Sequence, residues 1–299
     1  MTGKRILVTG SEGFTGVYVC QELRAAGWEV WGAGLAAKPN NPRYIKIDLQ
    51  DAASLEQIAA IRPDVVIHLA ALAFVAEPDP APFYHINLLG TRNLLEALYQ
   101  SKHPPDCTII ASSANVYGNA QAGMLSEDTQ PNPVNDYAVS KLAMEYLTRT
   151  YMDRLGIVIT RPFNYTGVGQ SDRFLIPKIV AHFVERRPEI RLGNLDVERE
   201  FSDVRDIGVM YKRLAEKQPL GHTVNLCSGK PIALRKCIQL AESITEHGIK
   251  ITVNPDFVRT NEIHSLCGSR EKLTSLIGPP PSRLFKETLE WMLLPQAVG

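Results

Sequence analysis

The chain predicts an α/β fold built on a doubly wound parallel sheet, and three observations carry that prediction. Short β-branched and apolar runs alternate with segments of helical spacing through the first half. The first run stops at a glycine turn, Gly10-x-x-Gly13-x-x-Gly16. Beyond Pro162 the rhythm loosens, with Pro177, Pro188 and a Pro279-Pro280-Pro281 run.

Arg5-Ile6-Leu7-Val8-Thr9 reads as a buried strand. Residues 13–27 read as a helix, with Val17, Cys20 and Leu23 at helical spacing and Gly27 as the stop. Strands follow over 29–33, ending at Gly34, and 44–47, ending in Asp48-Leu49. A helix over 51–61 leads to a strand over 64–68, ending in Leu69-Ala70-Ala71. A helix over 83–101, a strand over 107–111 ending in Ser112-Ser113, a helix over 136–155 and a strand over 157–161 complete the first half. Proline-rich connections at 77–82 and 130–133 punctuate it, and Thr223-Val224-Asn225-Leu226 is the candidate return strand. The spacing predicts a dinucleotide-binding unit over 1–165 with a return near 200–228. A smaller substrate unit is predicted over 166–199 and 229–299.

Strand, glycine turn and helix in succession are the context of a Rossmann-like dinucleotide fingerprint. Gly10 permits the turn, Gly13 admits the pyrophosphate, Gly16 allows close packing, and the helix start at Phe14-Thr15 turns its positive end to the phosphates. Ligands of open parallel sheets lie beyond the carboxyl ends of the strands, which adds Asp48, Leu49, Leu69, Ala70 and Ala71 to the cofactor candidates. Asp48 is expected either to bond the adenine or to cap the helix near Ala52. Gly34 stands where an acid would bond the ribose, so NADP(H) and NAD(H) both stay open. Lys38 is either a 2′-phosphate partner, which tilts the reading to NADPH, or a solvated surface charge.

Thirty-two basic and thirty-two acidic residues cancel, which argues against nucleic acid and anionic membranes as partners. No apolar stretch reaches spanning length and the N-terminus runs straight into the first strand. Five scattered cysteines suggest reduced thiols in a cytoplasmic protein, and the seven histidines lack metal-ligand spacing. His68 is expected to be packed or bonded to backbone, and Glu77 and Glu127 to be loop groups in water.

Tyr137 and Lys141 stand at i and i+4, on one face of the predicted helix. A neighbouring ammonium should lower the phenol's pKa towards a useful range, and the same lysine can hold a nicotinamide ribose. Ser113, just past a strand, can polarise a substrate carbonyl.

With these pieces in place the chain resembles the extended short-chain dehydrogenase/reductase family over essentially its whole length. The matching motifs are Thr9-Gly10-x-x-Gly13-x-x-Gly16, His68-Leu69-Ala70-Ala71, Asn87-x-x-Gly90-Thr91, Ser112-Ser113, Val116-Tyr117-Gly118 and Tyr137-x-x-x-Lys141. The resemblance implies a Ser113/Tyr137/Lys141 triad, hydride exchange between nicotinamide and a sugar nucleotide, Phe163 among the cofactor contacts, and structural roles for Asn87 and 91–97. It also implies a homodimer formed through the helices near 83–101 and 136–155.

The segments Arg161–Gln170, Phe174–Ile179 and Leu192–Arg199 look like the GDP-mannose branch. By that likeness Asn164, Lys178, Leu192, Asn194, Arg199, Arg259 and Glu262 would hold a GDP-sugar. The branch's dehydratases carry a carboxylate where this chain reads Ser112-Ser113-Ala114-Asn115. Without it, proton removal and water loss lack their acid/base group. The expectation is therefore an NAD(P)H-dependent reductase acting on the C4 ketone of GDP-4-keto-6-deoxy-D-mannose, with Asn115 holding a sugar hydroxyl. The alternatives are a 4-epimerase with retained NAD, using the same triad, and a GDP-mannose 4,6-dehydratase-like activity.

Overall fold

The computed structural model describes residues 3–75, 78–118, 123–195, 197–254 and 265–294. Its first half runs β1 (Arg5–Thr9), α1 (Phe14–Ala25), β2 (Glu29–Gly34), β3 (Tyr44–Lys46), α2 (Ala52–Leu55), α3 (Gln57–Ile61) and β4 (Val65–His68). A π-helical segment (Phe83–Gly90) then passes directly into α4 (Thr91–Tyr99). After it come β5 (Cys107–Ala111), a 3₁₀ turn (Ala114–Tyr117), β6 (Gly123–Leu125), α5 (Asp136–Arg149) and β7 (Ile157–Pro162). The second half holds β8 (Tyr165–Thr166), α6 (Leu175–Val184), β9 (Glu189–Leu192), β10 (Glu198–Glu200), β11 (Ser202–Asp203), α7 (Val204–Lys217) and β12 (Thr223–Leu226). It ends with β13 (Pro231–Ala233), α8 (Leu234–Thr245), β14 (Lys250–Val253), β15 (Ser265–Gly268), α9 (Glu271–Ile277) and α10 (Phe285–Leu293).

Seven strands form one sheet in the order β12-β7-β5-β4-β1-β2-β3, and every neighbouring pair is parallel. This is the doubly wound, Rossmann-like architecture that the alternation predicts. The sheet is apolar on both faces because helices cover both. Ile6 and Val8 of β1 pack with Val19 and Leu23 of α1 and with Ile207, Met210 and Leu214 of α7. Leu7, on the opposite face, packs with Ile58, Leu94, Leu95, Leu98 and Met144. Each such aliphatic side chain contributes roughly 1.5–3 kcal/mol by leaving water. The strand order reverses between β1 and β4, so the crevice at their carboxyl ends is the place for a ligand.

The predicted 83–101 helix opens with the π-helical segment. The wider turns let Asn87 leave the helix ladder: its side chain accepts from Leu72 N at 2.9 Å and donates to Leu72 O at 3.1 Å and Ser140 Oγ at 3.2 Å. Asn93 donates to Leu49 O at 2.8 Å. These bonds fit the structural roles implied for Asn87 and the 91–97 stretch.

The smaller lobe has its own core, in which Ile176, Phe183, Leu192, Leu195, Ile238 and Leu289 meet. Beside it lies a four-stranded sheet in the order β13-β10-β15-β6. Two segments cross the predicted division of the chain. β6 comes from the first 165 residues yet pairs with β15. Conversely, Leu273 and Ile277 of α9 lie in the core under the large sheet, although 229–299 is expected in the smaller unit. Apolar faces, not position along the chain, decide where these elements dock. Five cysteines are buried and free, and no helix among the described residues is long and apolar enough to cross a membrane.

Candidate active site

The carboxyl ends of β1, β4 and β5 converge. Gly10, at φ 69°, lies so close to β4 that a side-chain carbon on it would sit 2.8 Å from Ala70 N. A side-chain carbon on Gly16 would overlap the Gly10 carbonyl and lie 2.7 Å from Ser11 Cα. Gly13 is the N-cap of α1, and no side chain caps that helix, so its first amides face the crevice bare. Ser11 Oγ and Ser112 Oγ are buried there without a protein partner. A cradle of bare amides, glycines and unpartnered hydroxyls fits a dinucleotide pyrophosphate.

Leu69 N and Ala70 N bond Thr9 O and Thr9 Oγ1 at 3.2 and 3.3 Å, fixing Leu69-Ala70-Ala71 beside the turn. Leu49 is buried under α4 and shapes the far wall. Asp48 does not cap the helix at Ala52: Asp51 does, accepting from Ala53 N at 3.0 Å, while Asp48 Oδ1 accepts from Gln50 N at 2.9 Å. One turn too early in the chain, Asp48 closes a local turn instead. Lys38 is an exposed surface charge, and it pairs with the equally exposed Glu12 at 2.8 Å.

Of the two readings offered for His68, the packed one holds: the ring is buried. Its two ring nitrogens meet side-chain hydroxyls, Thr9 Oγ1 at 2.7 Å and Thr91 Oγ1 at 3.0 Å. Burial, reinforced by the charge of Lys141, pulls its pKa down to about 3, so it stays neutral.

α5 carries the Tyr-x-x-x-Lys pair. Asn135 caps it by accepting from Ala138 N at 2.9 Å, and Asp136 and Arg149 suit the two ends of the helix dipole. Tyr137, Lys141 and Ser113 are all buried, and Ser113 hydrogen-bonds the Tyr137 hydroxyl. Asn115 donates to Ser113 Oγ through both its backbone N and Nδ2, each at 3.1 Å. Ser113 Oγ is thus filled as an acceptor and turns its proton towards the phenol. Lys141 Nζ donates to Ala111 O at 2.7 Å.

The electrostatics differ from expectation. Burial pushes the Tyr137 phenol up to about 12, the Ser113 bond acting in the opposite direction. Burial also pulls the Lys141 ammonium down to about 8, with Glu145 acting against that shift. Desolvation dominates, and the phenol stands protonated at neutral pH. That is the form a proton donor needs.

Four residues outside the predicted set of site residues matter here. Tyr165 Oη lies 2.7 Å from Thr15 Oγ1 and its ring stacks on Phe14 at 6.0 Å, joining the glycine turn to the catalytic side. Glu145, Arg161 and Tyr117 form a buried cluster behind Lys141. Glu127 is no solvated loop group: its carboxylate accepts from Asn225 N at 2.7 Å.

Phe163 is buried against Tyr117, ring centroids 6.0 Å apart, below the site. On the other wall Asn164 is exposed and its carbonyl accepts from Ser202 N at 2.9 Å. Lys178, on α6, donates to Arg191 O at 3.1 Å. Arg199, on β10, donates to Glu198 O at 2.7 Å, and Asn194 is half-buried nearby in the chain. Leu192 is packed in the core of the smaller lobe and its carbonyl accepts from Asn254 N at 2.8 Å, so it supports the wall. Arg259 and Glu262, with Glu77, lie outside the described residues.

Residues 6–227, including the glycine turn, Ser113, Tyr137 and Lys141, match the model of the NAD dependent epimerase/dehydratase family. The chain belongs to that family. Among curated members of this epimerase/dehydratase family it is 36% identical to the GDP-6-deoxy-D-talose 4-dehydrogenase of Aggregatibacter actinomycetemcomitans, over 92% of this chain and 91% of that protein. It is 35% identical to the GDP-6-deoxy-D-mannose reductase of Pseudomonas aeruginosa, over 97% of this chain and 96% of that one. The structure of RMD from Pseudomonas aeruginosa complexed with NADPH superposes with a TM-score of 0.85 at 32% identity, covering 97% of this chain and 98% of that chain. These matches bear out the extended short-chain dehydrogenase/reductase assignment and its GDP-mannose branch, and with them an NAD(P)-dependent enzyme.

Proposed function

We propose that the protein reduces the C4 ketone of GDP-4-keto-6-deoxy-D-mannose to a GDP-6-deoxyhexose, GDP-D-rhamnose, at the expense of NADPH or NADH. One observation carries the choice of reaction: an amide, Asn115, bonds Ser113 at 3.1 Å where a dehydratase needs a carboxylate. An amide cannot take the C5 proton that water loss requires. A reductase needs no such group. The names of the two curated relatives, both GDP-6-deoxyhexose oxidoreductases, support the same reading.

The chemistry follows from the residues. The cradle of Gly10, Gly13 and Gly16 would hold the pyrophosphate of a reduced nicotinamide dinucleotide, which would supply hydride for C4. Ser113 donates to the ketone oxygen and polarises it. Tyr137, held protonated by burial, gives its proton to the forming alkoxide. Lys141 stabilises the phenolate left behind and can hold the ribose hydroxyls. Asn164, Lys178, Asn194, Arg199, Arg259 and Glu262 are read as the GDP-sugar contacts, with Leu192 as packing behind them. Lysine and arginine suit a diphosphate, and a carboxylate suits ribose hydroxyls.

Two further readings belong to the proposal. Leu94, Leu95, Leu98 and Met144 are used up against the sheet, but Leu89, Tyr99, Val139 and Tyr146 stand exposed on the same helices. That outward row supports a homodimer formed through α4 and α5, and a monomeric mass by light scattering would refute it. Free buried cysteines support a cytoplasmic location.

The test is incubation with GDP-4-keto-6-deoxy-D-mannose and each reduced cofactor, followed by NMR of the product. The expected result is loss of nicotinamide absorbance and a C4 alcohol. Unchanged absorbance with both cofactors would overturn the assignment.

A further inference from the structure

Directly behind Lys141 lies a buried ion pair that touches neither proton nor hydride. Glu145, one helical turn further along α5, is fully buried. Its oxygens accept from Arg161 Nε at 2.8 Å and Nη2 at 2.7 Å, and Arg149 adds a contact at 3.2 Å. Arg161 is itself held: its guanidinium lies over the Tyr117 ring at 4.9 Å and donates to Tyr117 Oη at 3.0 Å and Glu127 O at 3.3 Å.

For stability alone such a pair is a poor choice, because well-packed apolar residues of the same volume usually do as well. Its value lies in its neighbour. Lys141 is a second buried cation, and it donates a hydrogen bond to a neutral carbonyl. A lone ammonium in that position would lose its proton instead of staying charged. Residues i and i+4 share a helix face, so Glu145 stands beside it with its carboxylate immobilised by Arg161.

We propose that Glu145 is a positioning residue for the reduction, its clamped carboxylate fixing the charge and the place of the Lys141 ammonium. This rests on the reading of Tyr137 and Lys141 as the reducing centre. The other groups facing Lys141 and its phenol do not supply that charge: His68 on β4 is neutral, and Tyr165 on β8 and Tyr211 on α7 are phenols kept protonated by burial. Arg161 on β7 is cationic and opposes it.

The test measures the proton on Lys141 directly, by NMR titration of full-length protein carrying ¹³Cε-lysine, with Lys141→Arg to assign the signal. The wild-type midpoint is expected near 8. Glu145→Gln should lower it by about one unit, a tenfold change in the acid equilibrium, and Glu145→Asp should restore part of the shift. In turnover, Glu145→Gln should reduce kcat about fivefold near the wild-type midpoint and recover towards wild type in more acidic buffer, with KM little changed. A midpoint and a pH profile identical to wild type would overturn the proposal. Should Glu145→Gln fail to fold, Glu145→Asp, which keeps the charge but shortens its reach, should lower the midpoint by a smaller amount, and a midpoint identical to wild type would overturn the proposal in the same way. The NMR arm is independent of substrate, so a wrong choice of GDP-sugar and a wrong role for Glu145 give different outcomes.

Discussion

Lys141 Nζ donates to the Ala111 carbonyl at 2.7 Å, which ties α5 to the end of β5, two residues before Ser113. The three chemical groups of the site are therefore set by one strand end and one helix face.

The phenol is the proton donor in this scheme. Tyr137→Phe keeps the ring and its edge contact with Phe83 at 5.8 Å but removes the proton. We expect kcat to fall by roughly 10²–10⁴-fold with the fold intact. Steady-state kinetics beside a circular dichroism spectrum checks this, and unaltered turnover would refute the role.

Lys141 should cost stability. Its folded pKa of about 8 lies below the usual 10.5, so between these values the unfolded chain binds the extra proton. Stability contributed by this group is complete above the unfolded value and is lost as pH falls through about 8. At neutral pH the deficit is on the order of 3 kcal/mol. Lys141→Met should therefore be more stable than wild type near neutrality, with the gain fading in alkaline buffer, while turnover collapses. Urea titrations at several pH values read both signs. Tyr137 acts the other way: with its pKa raised from 10.0 to about 12, the stability it contributes is complete below 10.0 and is lost as pH rises through about 12.

Gly16→Ala places a methyl group on the Gly10 carbonyl, and neither backbone segment can retreat without moving β1 or α1. Cofactor affinity should fall at least about tenfold, equivalent to 1.4 kcal/mol. Quenching of nicotinamide fluorescence measures it, and wild-type affinity would show that the turn does not seat the dinucleotide.

Glu127→Ala breaks the carboxylate bond to Asn225 N, leaving a buried donor. The loss should be about 1.5–3 kcal/mol in chemical denaturation. A change near zero would restore the view of Glu127 as a group in water.

Much of the large sheet is legible in the chain, because a strand buried on both faces is a plain apolar run and several of these runs stop at glycine or serine, as β1 does at Gly10 and β5 at Ser112. Ser113, Tyr137 and Lys141 are legible for the same reason: strand end and helix face are local features. Glu145 and Arg161 are not. A glutamate four residues beyond a lysine on a helix reads as a solvated pair, and only the packing of β7 against α5 buries it. Asp48 and Asp51 show the limit at short range, since both precede the helix and backbone geometry alone decides which one caps it. The π-helical opening at Phe83–Gly90 is equally hidden, being decided by the bonds Asn87 makes to Leu72 and Ser140, remote in sequence.

β6 has a consequence for how the molecule can be handled. Because Gly123–Leu125 completes the small sheet beside β15, while α9 props up the large one, each half lends the other a piece. Dissection at the apparent boundary would strip both fragments of a neighbour. The polypeptide should melt as a single calorimetric peak, and separately expressed halves should recover shape only when mixed.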